Sequence, residues 1–280
     1  MGAVKIKVAT IEPNHWQMSF EVASGVLQLA VQRATAMVSI GLQGADAISP
    51  SHLEVPGASM QVSVTADNSP SPGHVRDEYR ARVLSDGLRD CAEALGDALA
   101  AAYVECFLWS LPGPTIRLEA GNLRHQPATT GLQVQQMAAD VEAFERFNLP
   151  TKVARLKALG LTQPEFYGDI RTISAARNVL AHSRGVVGGR GLVLTWVRIG
   201  LTAAGPAGES RPVGPGSRVE AGEIVAVSID RVTRTFAAGD HITLRADDFS
   251  EIAITFLLYA QQLQQSILAL QERRFAEQES

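Results

Sequence analysis

A chain of 280 residues is long enough for one large domain, or for one domain with an appendage. Its apolar fraction of 46% and near-zero mean hydropathy suit a soluble globular protein, and its apolar runs are broken by charge or Gln well short of the roughly 20 residues that span a bilayer. A net charge of −4 argues against a protein that coats nucleic acid generally, and the N-terminus lacks the basic start, apolar run and small-residue cleavage site of a secretory signal, so the expected location is cytoplasmic.

Along the chain, Val4, Ile6 and Val8 alternate with lysines as in a short strand. Residues from about Ser24 to Gly41 read as a helix with Leu27, Val31 and Val38 on one side, and Val62 and Val64 hint at another strand. The breaker Asn68-Ser69-Pro70-Ser71-Pro72-Gly73 marks a boundary, so residues 1–75 form an α/β extension of unassigned role. The clearest helix follows. Leu84, Leu88, Cys91, Leu95, Leu99, Ala102, Cys106 and Trp109 recur at steps of three and four until Pro112-Gly113-Pro114 stops them. A polar, Gly-containing link leads to a helix with Val134, Met137, Val141 and Phe144 on its stripe. Pro150 interrupts it, and Gly160 ends the next short piece. A third helix runs from near Pro164 to about Ser183, with Gly185 as its stop.

Beyond the turn Gly188-Gly189-Arg190-Gly191, the stretches Leu192–Ile199 and Glu223–Phe236 are strand-like, with a Gly- and Pro-rich loop between them. Ile242 and Leu244 suggest a last short strand. Asp248 and Glu251 have the spacing of a capping pair for a final helix, whose stripe runs through Phe249, Ile252, Phe256, Tyr259, Leu263, Ile267 and Leu270 before the helix frays around Arg273. The fold class is therefore mainly α: a helical bundle over residues 76–280 with a small β insertion at about 191–246, before the last helix.

The chemistry-bearing residues lie on the third helix, in Ala176-Arg177-Asn178-Val179-Leu180-Ala181-His182-Ser183-Arg184-Gly185. Its apolar stripe is Phe166, Ile170, Ile173 and Leu180, and Arg177 falls within it. A charge there is costly unless it is used, is paired with a carboxylate such as Asp169, or snorkels outward. His182 lies near the helix end, where the macrodipole favours a protonated ring and the nearby arginines oppose it, which keeps acid–base work near neutral pH plausible. Asn178 lies one turn before His182 on the same side. Arg177 and His182, five residues apart, point roughly 140° from each other on an ideal helix, so a bent helix end or a partner surface must help them converge. No Asp or Glu occurs from Ile170 to Gly208, whereas Arg171, Arg177, Arg184, Arg190 and Arg198 do, which suits a phosphate-bearing ligand held at one place; the bland alternative is solvated loop arginines.

At these residues the chain resembles the HEPN superfamily, whose hallmark is an Arg, usually followed by a polar residue, with a His four to six residues on. Arg177, Asn178 and His182 match its R-N-x3-H form, and the resemblance covers roughly residues 76–190 and 246–277. The resemblance implies a dimer whose two motifs meet in one cleft, and a metal-independent endoribonuclease that needs no cofactor. In such an enzyme His182 serves the attack of the ribose 2′-oxygen as base or acid, Arg177 stabilises the phosphorane, and Asn178 positions phosphate or imidazole. RNA is then the ligand, with Arg171, Arg184 and Arg190 as further contacts, and a toxin or anti-phage role with an antitoxin or other regulatory protein as partner. Superfamily members with a Tyr two residues after the His are regulated there; this chain has Arg184 instead. The alternative implied by the same resemblance is a non-catalytic module that binds RNA, a nucleotide or a partner protein.

Other motifs are absent from the sequence. Residues 185–191 lack the Gly-Lys-Ser/Thr of a P-loop, and no Cys or His pair has zinc spacing. No Gly-x-Ser-x-Gly elbow occurs, and His15, His52, His74, His125 and His241 are scattered. Cys91 and Cys106 read as buried free thiols, and Trp109 and Trp196 as core aromatics.

Overall fold

The computed structural model describes residues 13–47, 72–110, 115–119, 122–126, 139–205, 209–213, 217–220 and 223–279. The strands expected around Val4–Val8 and Val62–Val64 lie outside these residues. The chain is mostly helical, with a small three-stranded antiparallel sheet before the last helix. Among the described residues no helix is long and apolar enough to cross a membrane. Two compact units divide the chain: residues 1–30, 93–171 and 256–280 form the first, and residues 31–92 and 172–255 the second.

The helices form where the apolar period is helical. Helix α1 (Pro13–Ala47) is longer at both ends than the stretch from Ser24 to Gly41 suggested. In α2 (Pro72–Ser110) the stripe from Leu84 to Cys106 is buried throughout, including both cysteines; the side chain of Trp109 lies outside the described residues. Burial pushes both thiols up to about 12, with Asp90 adding to the effect at Cys91 and Glu105 at Cys106.

The expected link after α2 instead holds two paired strands, β1 (Thr115–Glu119) and β2 (Asn122–Gln126), antiparallel with Arg117 opposite Arg124. Residues 139–145 are helical (α3), and α4 (Leu149–Ala158) begins afresh rather than continuing α3 past Pro150. Asn148 caps α4, its Oδ1 accepting from Thr151 N at 3.0 Å, and Pro150 occupies the first turn, where no backbone donor is needed.

In the first unit, Tyr103 stacks on Phe144 with centroids 4.2 Å apart, and the Lys152 ammonium lies 5.6 Å from the same ring. Buried Gln271 donates to buried Glu105 at 2.7 Å. Arg273 donates to the Gly160 carbonyl at 3.0 Å, and α6 (Ala246–Glu279) continues past it rather than fraying.

The second unit contains α5 from Thr172 onward (α5 spans Tyr167–His182) and the sheet, in the order β4-β3-β5. Strand β3 (Leu192–Ala204) pairs along its whole length with β5 (Ile224–Phe236), in one register from Leu192 opposite Phe236 to Ala204 opposite Ile224. Strand β4 (Ser210–Pro212) lies in the segment read as loop and covers only Thr202–Ala204. The short strand expected at Ile242 and Leu244 is absent; a single bridge joins Val186 to His241 instead.

Where β4 stops, helix hydroxyls satisfy the exposed edge of β3. Thr172 Oγ1 accepts from Thr195 N at 2.9 Å, and Thr255 Oγ1 accepts from Val197 N at 2.9 Å. A threonine on each helix thus replaces a missing strand, satisfying N–H groups that would otherwise be buried unpaired.

The expected capping pair of α6 is not one. Asp248 sits in the first turn and reaches back to Arg245 N at 2.8 Å, which is the acid's half of a capping box. Glu251 instead turns to the sheet and accepts from Trp196 Nε1 and from Arg198 Nε, each at 2.6 Å.

Candidate functional site

The C-terminal half of α5 is positioned by its buried face. Ile173 and Ala176 are fully buried and Leu180 is half-buried, so Ala176 continues the apolar stripe and Arg177 stands at its margin. Arg177 is accordingly half-buried, neither fully inward as its place in the stripe suggested nor freely solvated. Its Nη1 donates to Asn178 Oδ1 at 3.3 Å, so guanidinium and carboxamide lie side by side, and Asn178 is exposed. His182 is exposed at the last position of the helix, one turn beyond Asn178.

The helix end is held by a tight reversal. Arg184 and Gly185 both take left-handed backbone conformations, with φ of 51° and 81°. Glycine adopts that conformation without strain; for Arg184 it costs roughly 1–2 kcal/mol. Ser183 N and Gly185 N both donate to the Val179 carbonyl, at 2.9 and 3.2 Å, which satisfies an end carbonyl of the helix. The chain leaving the turn is then pinned: Val187 N donates to Asp240 O, and Ile242 N to Gly185 O, each at 2.9 Å. This anchoring fixes the direction in which Arg184 and the end of α5 face.

The structure thus joins Arg177 to Asn178 and places His182 on the Asn178 side of the helix. Arg177 and His182 remain on faces roughly 140° apart by helical geometry.

Of the arginines in the acid-free stretch, Arg171, Arg184 and Arg190 are exposed. Arg190 borders a recess of about 450 Å³ between residues 189–193 and 235–238, which none of Arg177, Asn178 and His182 lines. Arg198 corrects the picture of five cations reinforcing one field. Glu251 holds it through two hydrogen bonds, at 2.6 and 3.2 Å. Burial raises the Glu251 carboxyl, but hydrogen bonds from Arg198 and Trp196 and the charges of Arg198 and Arg234 outweigh it, leaving the group below the usual carboxylate range.

Sequence reasoning missed how α5 and α6 hold the sheet: Thr172 and Thr255 were not singled out, and Asp248 and Glu251 were read only as a capping pair. Asp248 grips Arg234 through both oxygens, at 2.7 and 2.8 Å, and Arg234 stacks over Trp196 with its guanidinium carbon 5.5 Å from the ring centroid. The only sequence signal for these threonines is a β-branched hydroxyl within a helical period. No group of three or more His, Cys, Asp or Glu side chains able to hold a metal ion occurs among the described residues. Comparison with protein-family models, curated proteins and solved structures finds no match.

Proposed function

We propose that this chain is an endoribonuclease of the HEPN type, with Arg177, Asn178 and His182 as its working residues. One observation carries the reading: the Arg177 guanidinium bonded to Asn178, with an exposed imidazole one turn on at the end of the same helix. A guanidinium backed by a carboxamide suits an anionic phosphate. An imidazole at a helix end is accessible to a ribose 2′-hydroxyl.

In the proposed reaction His182 takes the 2′-hydroxyl proton, the 2′-oxygen attacks the adjacent phosphorus, and the 5′-oxygen leaves with a proton from water, whose hydroxide is neutralised by the proton held on His182. The products are a 2′,3′-cyclic phosphate and a 5′-hydroxyl. Arg177 stabilises the charge on the phosphorane, Asn178 positions the phosphate, and Arg184 and Arg190 contact the flanking strand. Because Arg177 and His182 diverge on one helix, the proposal includes a second copy whose motif completes the cleft.

The test is incubation of the purified chain with RNA in EDTA. Wild type should cut RNA but not DNA, which lacks the nucleophile. His182→Ala should lose roughly 10²–10⁴-fold in rate, and Arg177→Ala should lose activity without a matching loss of stability. Absence of cutting with retained RNA binding would sink the enzyme reading in favour of a binding module. Loss of neither property in either variant would sink both.

A further inference from the structure

We infer that the recess beside Arg190 is a binding site for a small monocarboxylate with an apolar body. The inference does not depend on the nuclease reading, because none of Arg177, Asn178 and His182 lines the recess.

The recess lies where the β3–β5 ladder ends. Beyond the pair Leu192–Phe236 the two strands pass into turns, at residues 188–191 and 237–240. Gly191 N donates to Gly188 O at 3.1 Å and closes the first turn, and Asp240 N donates to Ala237 O at 3.1 Å and closes the second. The Asp240 carboxylate also accepts from Ala237 N, at 2.7 Å. Gly239 N donates to Val187 O at 2.9 Å, which ties the second turn to the chain entering the first. Gly191 lets the walls approach this closely: its φ is 66°, and a Cβ there would meet Phe236 O at 2.9 Å. Backbone bonds therefore fix both walls, and the space between them, about 450 Å³, falls in the range of roughly 300–1,000 Å³ that small-molecule sites occupy.

The walls select the chemistry. Leu192, Val193, Phe236 and two alanines make them mostly apolar, and Thr235 adds one hydroxyl. Val193 and Thr235 are partners in the ladder and stand side by side on one face, where Val193 is 50% exposed. Arg190 is the one charged residue that lines the space, and no acid does. The sheet's arginines at 198, 211 and 234 are already held, by Glu251, Glu223 and Asp248. Arg190 is exposed, with neither an ion pair nor a hydrogen bond among the described residues. The backbone N–H groups of Gly189 and Arg190 likewise find no backbone acceptor there.

A single guanidinium balances a single negative charge, and its planar fork matches the two oxygens of a carboxylate. A phosphate dianion would remain half-balanced, and a second anionic group elsewhere on the ligand would press against apolar walls. A carboxylate on Arg190, with a compact apolar body over Val193 and Phe236, satisfies both features at once.

The test is titration of the full chain with phenylacetate, followed by heteronuclear NMR of the backbone amides. Saturable shifts should appear at Gly189, Gly191 and Ala238, with a Kd in the millimolar range or tighter, as suits so small a ligand. Arg190→Gln removes the charge from an exposed side chain and should raise Kd about tenfold or more. Phenylethanol, which lacks the carboxylate, should bind wild type no better than phenylacetate binds that variant, and phenyl phosphate should bind wild type more weakly than phenylacetate. Ala237→Phe fills the space but keeps Arg190, and should abolish the shifts. His182→Ala should bind as wild type does, whether or not the chain cuts RNA. Absence of saturation, an unchanged Kd in Arg190→Gln, shifts retained in a folded Ala237→Phe, tighter binding of phenyl phosphate, or a changed Kd in His182→Ala would each overturn the inference. Should the phenylalanine variant not fold, Arg190→Gln and the two analogues decide.

Discussion

Replacing Thr255 by Val tests whether a helix hydroxyl truly serves as the missing neighbour of β3. Valine keeps the shape and β-branching of threonine but cannot accept the Val197 N–H, now held at 2.9 Å. Thr255 and Val197 are both fully buried, so water cannot take over the bond. An orphaned buried donor costs about 1–3 kcal/mol. The second bond of this hydroxyl, to the Glu251 carbonyl at 2.9 Å, adds little, because that carbonyl retains its helical partner. We therefore expect a loss of about 2 kcal/mol, roughly 4–8 °C in Tm for a chain of this size. Urea denaturation followed by far-UV circular dichroism measures it. Thr255→Ser is the control: it keeps the oxygen, loses a buried methyl worth about 1 kcal/mol, and should be the more stable of the two variants. A valine variant within about 0.5 kcal/mol of wild type, the range of an ordinary surface substitution, would refute the reasoning.

Arg184→Gly should stabilise the chain by about 0.5–1 kcal/mol in the same denaturation assay, since glycine relieves the left-handed strain at φ 51° but frees the unfolded chain; if Arg184 also contacts RNA, affinity should fall as stability rises. Cys91 and Cys106 should resist a thiol reagent at pH 8 in the native chain and react together on unfolding, because burial holds both thiols near 12; native-state labelling would contradict that packing. Glu251→Gln should destabilise the chain near neutral pH by weakening the Arg198 and Trp196 contacts. The folded carboxyl titrates below its unfolded value of about 4.3, so its contribution is present above that pH and fades as pH falls through the folded value; the gap between variant and wild type should therefore close in acid, and a gap constant from pH 7 to below 4 would be inconsistent with it.

The long helices were legible because burial writes itself into the sequence at helical spacing. Every apolar residue named on the stripes of α2 and α6 and described in the structure is buried, from Leu84 to Cys106 and from Phe249 to Leu270. Short elements were less so. Ser210–Pro212 is too brief for a period and owes its conformation to pairing with Thr202–Ala204, a tertiary effect. Thr115–Glu119 alternates polar and apolar, but over five residues only and beside the mostly polar Asn122–Gln126, so the pair read as a polar link. At the start of α6, the spacing of Asp248 and Glu251 fits a capping box, but the box closes from Asp248 back to Arg245, and that choice depends on Arg234 and Trp196 being within reach of the two acids.

The same logic separates the arginines. Counting acids in a sequence window registers only neighbours along the chain, and by that count Arg198 belongs with Arg184 and Arg190 in an uncompensated positive stretch. Its carboxylate partner is Glu251, 53 residues further on, brought beside it by the packing of α6 against β3. Arg198 is thereby spent on structure, because releasing it to a phosphate would break both its bonds to Glu251 and leave that half-buried carboxylate unbalanced beside Trp196. Arg184, in the turn after His182, and Arg190, beside the recess between residues 189–193 and 235–238, have exposed side chains, so a phosphate could meet either without undoing the fold. The positive character that the sequence suggests therefore loses Arg198 and keeps the exposed Arg171, Arg184 and Arg190, of which Arg184 lies in the turn after His182.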